Sequence, residues 1–434
     1  MPRSAGRQID REIGAIAVPA ALALATDPLY DLCDAAILGH IGSAELAGAA
    51  LAGRILAFGY AAFVFLMFGT TAAVARHRGA GDERAASSEA VGAIWIALGL
   101  GLLAAAVFGL AGQPLIGLLG GDGADAATVA GHAWTYLAVS LAGIPAFMIV
   151  MVGVGFLRGA QNTRTPLAIA ALTVTVNLVL ELVLVIGLGF SVGASALGTV
   201  IAKWLGAAIY LRIIWRAARH SGASLAPRRS TVFGHLVVGR DLVARTVVLL
   251  LVITVAQALA ARLGVSTLTA HVIAFQVWMF GAYASDGLEV AGQSMIANRL
   301  GAGRGNEVRQ VARRLAGWSV ALGLGFAVVV GASATVIPRL FTDDAEVIGQ
   351  TVSIMAWVAA LQPINAVAFA LDGILVGAAE QRYLAGSMAV AGAGFAVVAV
   401  LANRADAGLA GIWAALSVFM VIRCASGALR ARLL

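Results

Sequence analysis

A chain of 434 residues that is 61% hydrophobic and only 12% charged, with mean hydropathy +0.93, is not a soluble globular protein, since those run nearer half apolar and a quarter charged. The net charge of +7 does not mark a nucleic-acid partner, because the cations collect at the ends of apolar segments and in loops. Cys33 and Cys424 stand alone, so neither a disulfide framework nor a metal site is indicated.

Apolar stretches long enough to cross a bilayer run over 13–38, 46–71, 89–111, 130–154, 167–188, 193–213, 240–262, 271–294, 312–336, 351–375, 383–402 and 408–430. The polar start MPRSAGRQIDRE lacks the form of a cleavable signal, so the first stretch is expected to be a retained helix. Arginines 3, 7 and 11 precede the first span. Arg76, Arg78 and Arg84 follow the second, Arg158 and Arg164 the fourth, and Arg212, Arg216, Arg219, Arg228 and Arg229 the sixth. Arg299, Arg304, Arg309, Arg313 and Arg314 follow the eighth, Arg382 the tenth, and Arg430 and Arg432 close the chain. The opposite loops hold essentially Arg262, Arg339 and Arg404, with Asp122, Asp125, Asp343 and Asp344. This asymmetry predicts twelve spans with both termini in the cytoplasm.

The chain also repeats itself. Residues 36–81 lie over 258–303 without a gap: Gly42 meets Gly264, Phe58-Gly59 meets Phe280-Gly281, and Gly79-Ala80-Gly81 meets Gly301-Ala302-Gly303. With a shift of about four residues, Pro145 lies over Pro363, Gly155 over Gly373, Gly159-Ala160 over Gly377-Ala378, Arg164 over Arg382 and Gly193 over Gly411. The expected division is 1–218, a cytoplasmic linker at 219–234, and 235–434. Each half holds six spans, a parallel repeat of the kind that builds an alternating-access transporter around a central cavity.

Charged residues inside such spans are the functional candidates. TDPLYDLCDAAILGH, residues 26–40, carries Asp27, Asp31 and Asp34. Helix direction puts Asp34, Asn177 and Glu181 in the outer half of the first bundle, with Thr199 at about the same depth. Tyr30 and Asp34, Asn177 and Glu181, and Thr199 and Lys203 are each four apart and share a helical face. Carboxylates beside neutral oxygens are what a proton or Na⁺ site requires. The structural alternative is that Lys203 or Arg54 neutralises Glu181 and Asp34 and merely fixes helix register; both cations can equally tune the acids. Asp31 can face lipid headgroups or a neighbouring helix, and Asp27 can cap a break at Pro28. Pro19, in mid-span, removes a backbone hydrogen bond and permits a hinge. Asp286 and Asp372 are secondary candidates. Asp286-Gly287 and Asp372-Gly373 are expected as helix breaks facing the cavity; Asp372 and Glu289 are expected nearer the cytoplasm, where they can be solvated, and a structural role is slightly favoured for them. RGAGD and LGAGR (78–82 and 300–304) read as glycine caps rather than phosphate cradles. The absence of HExxH, GxSxG in context and Walker motifs argues against an enzyme or an ATP-driven pump.

PLYDLCDAAILGHIGSAELAGAALA, FGTTAAVARHRGAGD, FLRGAQNTRTPL, GRDLVARTVVLLL and ALDGILVGAAEQR together resemble the multidrug and toxic compound extrusion (MATE) transporters, in particular their DinF-like branch. The resemblance covers nearly the whole chain. It implies an all-α integral membrane protein of twelve transmembrane helices, in two six-helix bundles forming a V-shaped central cavity. It further implies export of small amphipathic or cationic organic compounds, driven by inward H⁺ or Na⁺, with no other cofactor. The bacterial cytoplasmic membrane and a monomeric state are expected. Carried over residue by residue, the resemblance gives a cation site of Tyr30, Asp34, Asn177, Glu181 and Thr199, with Na⁺ placed at Asp34, Asn177, Glu181 and Thr199 if Na⁺ is the ion. The second acid is Glu181 where Asp is usual, which tilts the expectation toward protons. The weighed alternative is a flippase for lipid-linked oligosaccharides, which would need a strongly cationic cavity.

Overall fold

Inside a bilayer every backbone N–H and C=O must bond within the protein, which leaves helices as the solution for apolar runs of this length. The computed structural model describes residues 3–120, 125–227 and 229–434, apart from the side chains at 3–5, 27–29, 31, 32, 62 and 229–232. The described residues are almost wholly helical and contain no strand. The helices are α1 (Arg3–Ile41), α2 (Ser43–Gly79, interrupted at Val64), α3 (Glu83–Leu119), α4 (Ala126–Gly159), α5 (Arg164–Gly187, ending in a π turn) and α6 (Val192–Ser221). They continue with α7 (Arg229–Leu263), α8 (Val265–Gly301), α9 (Gly305–Ala332), α10 (Ala345–Gly377), α11 (Gln381–Arg404) and α12 (Gly408–Ala431). Eleven stretches, from α2 onward, are long and apolar enough to cross a membrane. α1, a helix of 39 residues, is also long enough and completes the twelve.

The chain divides into two compact units, one of Leu22–Gly239 and one of Met1–Ala21 with Arg240–Leu434. α1 and α7 therefore each contribute one part to each unit. In the first unit α4 is the central helix, packed on α2, α3 and α6; in the second, α10 takes that place against α8, α9 and α12. The apolar residues Ile9, Ile13, Ile16 and Ala20 of α1 are buried in the second unit with Leu288, Met295, Val311 and Leu315.

The sequence repeat is visible as packing. A Cβ on Gly101 would stand 2.7 Å from Pro145 Cα, and the equivalent Gly323 meets Pro363 in the same manner. Gly155 approaches the Met67 carbonyl, leaving 2.6 Å for a Cβ, and its equivalent Gly373 abuts the Glu289 carbonyl. Gly159 against Thr71 (2.8 Å) and Gly377 against Gln293 (2.6 Å) form a third pair. These contacts let backbones come within van der Waals reach without a side chain between them.

They also correct one expectation. α8 and α10 run unbroken through Asp286-Gly287 and Asp372-Gly373. The glycines serve close approach instead: Gly287 leaves only 2.5 Å to the Ala17 carbonyl. The caps are as expected. Gly81 and Gly303 adopt φ of +76° and +69°, the left-handed conformation that ends a helix, and Asp82 Oδ1 accepts from Ala85 N–H at 2.8 Å to start α3.

Candidate functional site

Four helices of the Leu22–Gly239 unit bring oxygen-bearing side chains to one level. α1 supplies Tyr30 and Asp34, α4 Tyr136, α5 Asn177 and Glu181, and α6 Ser195 and Thr199. The four-residue spacing on α1, α5 and α6 puts both members of each pair on one face. The Tyr30 and Thr199 hydroxyls are 2.9 Å apart. Asn177 Nδ2 donates to Thr199 Oγ1 at 3.3 Å, and that hydroxyl turns to the Ser195 carbonyl at 3.3 Å. Ser195 Oγ donates to Asp34 Oδ1 at 2.8 Å. Tyr136, largely buried, faces Asp34, Tyr30, Thr199 and Glu181.

Glu181 is the unusual member. It is 0% exposed, and neither of its oxygens accepts a hydrogen bond, although the Asp34 carboxyl and the Ser195 hydroxyl lie beside it. Asn177 Oδ1 is likewise buried and unbonded. Two neighbouring carboxyls away from water do not both carry charge at low cost, since each repels the other and both lose hydration. One proton shared by the pair removes the repulsion. A small hard cation would do the same by taking oxygens as ligands, and the set here is rich in oxygen.

Sequence reasoning located five of these residues and missed Tyr136 and Ser195. Ser195 stands four before Thr199, so the spacing that identified the other pairs also identifies it. Tyr136 stands four residues from both His132 and Ser140, but the groups it faces here lie on other helices, so it becomes visible only when α4 is placed.

The other expected residues lie apart from this network. Lys203 donates to Tyr60 Oη at 3.4 Å, and its ammonium sits 4.8 Å from the Tyr60 ring centroid and 5.3 Å from that of Phe147. Those rings stack with centroids 3.9 Å apart. Lys203 is thus held by aromatic faces and forms no ion pair with Asp34 or Glu181. Arg54 is exposed and pairs with no acid among the described residues. The side chains of Asp27 and Asp31 lie outside the described residues. α1 is continuous through Pro19, and the division between the units falls just after it, at Ala21 and Leu22.

The second unit has a charged cluster of its own, and it corrects the expectation of solvated acids. Asp372 is 2% exposed and accepts from both Arg245 and Arg423, with Arg423 Nε at 3.2 Å from Asp372 Oδ2. Arg423 also lies over the Phe369 ring at 4.8 Å. Glu289 is buried next to the group, with Oε1 accepting no hydrogen bond, and half-buried Asp286 is nearby. Neither arginine was singled out from sequence, because the acid that both hold, Asp372, comes from another helix.

The repeat register shows what stands at the first unit's polar positions in the second. Tyr30, Asp34, Tyr136, Asn177, Glu181 and Ser195 correspond to Val252, Ala256, Ile354, Phe395, Ala399 and Trp413, all buried in one apolar core. Thr199 corresponds to Ser417, which keeps the backbone bond four residues back, to the Trp413 carbonyl at 2.7 Å.

The fold and the repeat agree with what known proteins show. The family model MatE matches residues 19–183 and 243–403. Protein DETOXIFICATION 44, chloroplastic, of Arabidopsis thaliana is 32% identical, over 98% of this chain and 82% of its own. DNA damage-inducible protein F of Escherichia coli is 29% identical, over 95% of this chain and 90% of its own, in line with the DinF-like resemblance. The crystal structure of the Vibrio cholerae MATE transporter VcmN in the bent form has the same fold, with TM-score 0.90, 20% identity and coverage of 99% and 98%. The chain belongs to the MatE family, whose members are multi-pass membrane transporters for small molecules and not enzymes.

Proposed function

We infer that this protein exports small amphipathic or cationic organic compounds against an inward flow of protons, with Asp34 and Glu181 as the coupling pair. The observation that carries this reading is Glu181, a fully buried acid whose oxygens accept no hydrogen bond while a second carboxyl lies beside it. A membrane protein keeps so costly an arrangement where a charge must come and go. Ser195 bonds Asp34 directly, and Tyr30 and Asn177 both bond the Thr199 hydroxyl, which ties together the helices that carry the pair.

Protonation and substrate binding oppose each other in this scheme: a proton on the pair weakens substrate binding, and by linkage substrate weakens proton binding by the same factor. Access alternates between the two sides of the membrane, with α1 as the bistable element. Support for that role comes from Pro19 and from the membership of α1 in both units. The basic loops favour cytoplasmic termini in a bacterial inner membrane, and the chain is taken to work as a monomer. Na⁺ is the other coupling ion the oxygen set could hold, and the longer Glu181 side chain favours protons over it. A flippase for pyrophosphate-linked sugars would need uncompensated buried cations, whereas Arg245 and Arg423 are both held by Asp372.

The test is efflux of a fluorescent organic cation from everted vesicles under a pH gradient alone, a Na⁺ gradient alone, and with an uncoupler. A pH gradient is expected to suffice, and the uncoupler to stop it. Transport driven only by Na⁺ would reassign the ion, and transport indifferent to both gradients would sink the antiport reading.

A further inference from the structure

A groove in the Leu22–Gly239 unit, where the first turns of α3 pass the end of α6, takes no part in the site above. It is an open groove of about 390 Å³, within the range of small-molecule sites. Val91, Ile94 and Leu211 form its apolar floor, and Trp95 and Trp215 its walls, exposed by 48% and 43%. Leu225, in the chain that leaves α6, closes one end, where Trp95 Nε1 donates to the Leu225 carbonyl at 2.9 Å.

Arg212 stands at the rim, and Arg216 and Arg219 follow on the same helical face at four and seven residues further on. The Arg219 guanidinium lies 4.5 Å over the Trp215 ring. All three arginines are exposed, and none forms an ion pair with a described acid. The chain has no acid between Glu181 and Asp241, and the acids at the start of α3, Glu83 and Glu89, lie against Arg78, His77 and His235.

We propose that this groove binds one anionic phospholipid of the adjoining leaflet, an acyl chain lying on the floor between the tryptophans and the phosphate held by Arg212, Arg216 and Arg219. Tryptophan suits the level where hydrocarbon meets headgroups, having an apolar body and one N–H to satisfy. Guanidinium groups meet phosphate oxygens with paired hydrogen bonds, and basic residues at that level each add attraction for anionic lipid. The charge selects the occupant: a cationic organic substrate would be repelled by the same three groups, and a zwitterionic lipid would gain little from them.

The experiment is native mass spectrometry of the purified full-length chain with phosphatidylglycerol or phosphatidylcholine. One phosphatidylglycerol per chain is expected to survive where phosphatidylcholine is lost. The triple variant Arg212→Ala, Arg216→Ala, Arg219→Ala should lower its retention about tenfold or more. Leu211→Trp, which fills the floor and leaves the charge alone, should lower it as well. Lipid-free thermal unfolding of both variants close to wild type shows that the loss is one of binding; a variant that fails this control is replaced by Ile94→Trp or by Arg212→Gln alone, with the same expectation of loss. Equal retention of the two lipids overturns the proposal, as does loss in only one class of variant. Displacement of phosphatidylglycerol by glycerol 3-phosphate at equal concentration also overturns it, because the site would then be one for free phosphate.

Discussion

The two repeats share their helices and their glycine contacts, yet differ where chemistry is concerned. At one level of the first unit stand Tyr30, Asp34, Tyr136, Asn177, Glu181, Ser195 and Thr199; the equivalent level of the second is a packed core of Val252, Ala256, Ile354, Phe395, Ala399 and Trp413. The second repeat shows that this architecture needs no acid at those positions. Its apolar version is what helix packing alone favours, so the carboxyls of the first repeat call for another explanation than folding. The converse holds near the end of α10, where Asp372, Glu289, Arg245 and Arg423 replace Val154, Met67, Ala23 and Leu205 of the first repeat. There an acid is paired: Asp372 is held from two sides by Arg245 and Arg423, and the geometry is that of an internal clamp. An acid with two cationic partners and an acid with another acid beside it are thus opposite arrangements in one molecule.

The comparison can be broken most forcefully by copying the acid across. Ala256→Asp, at the position equivalent to Asp34, would bury a carboxylate in the apolar core with no partner, at about 3–5 kcal/mol or more. Loss of folded protein in detergent-solubilised, size-separated membranes is the expected result, whereas Asp34→Ala should yield folded protein in normal amount. Trp413→Ala and Ser195→Ala extend the contrast. The first opens a cavity in the core and should cost about 3–5 kcal/mol in thermal or denaturant unfolding. The second removes one hydrogen bond to Asp34, costing about 1 kcal/mol, but should slow coupled efflux.

Asp372→Ala leaves two buried guanidinium groups without their carboxylate, and should destabilise by about 3–5 kcal/mol. Efflux per folded molecule should survive it better than it survives Asp34→Asn; equal loss in the two variants would place Asp372 in the transport cycle. The smallest effect is expected for Lys203→Met. It removes cation–π contacts worth about 1 kcal/mol and should leave coupling intact, because Lys203 is bound to Tyr60 and Phe147 rather than to the acids. A marked change in the pH dependence of efflux in this variant would show that Lys203 tunes the pair after all.

The order of spans and the duplication were legible because both rest on strong local signals, namely runs of apolar residues and glycines at repeated spacing. The polar site was legible in the pairs Tyr30 with Asp34 and Asn177 with Glu181, four apart on one helix with an acid in each; Ser195, four before Thr199, brings no charge and was passed over. Tyr136 was hidden because its partners come from three other helices. Arg245 and Arg423 were hidden for the same reason, and with them the burial of Asp372, which depth along the helix alone left open to water. The expected breaks at Gly287 and Gly373 failed because a glycine in a span signals either a kink or a close neighbour, and only the Ala17 and Glu289 carbonyls tell which.

The central claim is that Asp34 and Glu181 form the coupling site, and Asp34→Asn tests it most directly. The measurement is fluorescent-cation efflux from everted vesicles under an imposed pH gradient, wild type against the variant, at matched levels of folded protein. The account predicts gradient-driven efflux in the wild type and its loss in Asp34→Asn, with Glu181→Gln impaired in the same direction. Normal gradient-driven efflux by Asp34→Asn would contradict it and move the search for the coupling residue to Asp372 and its neighbours.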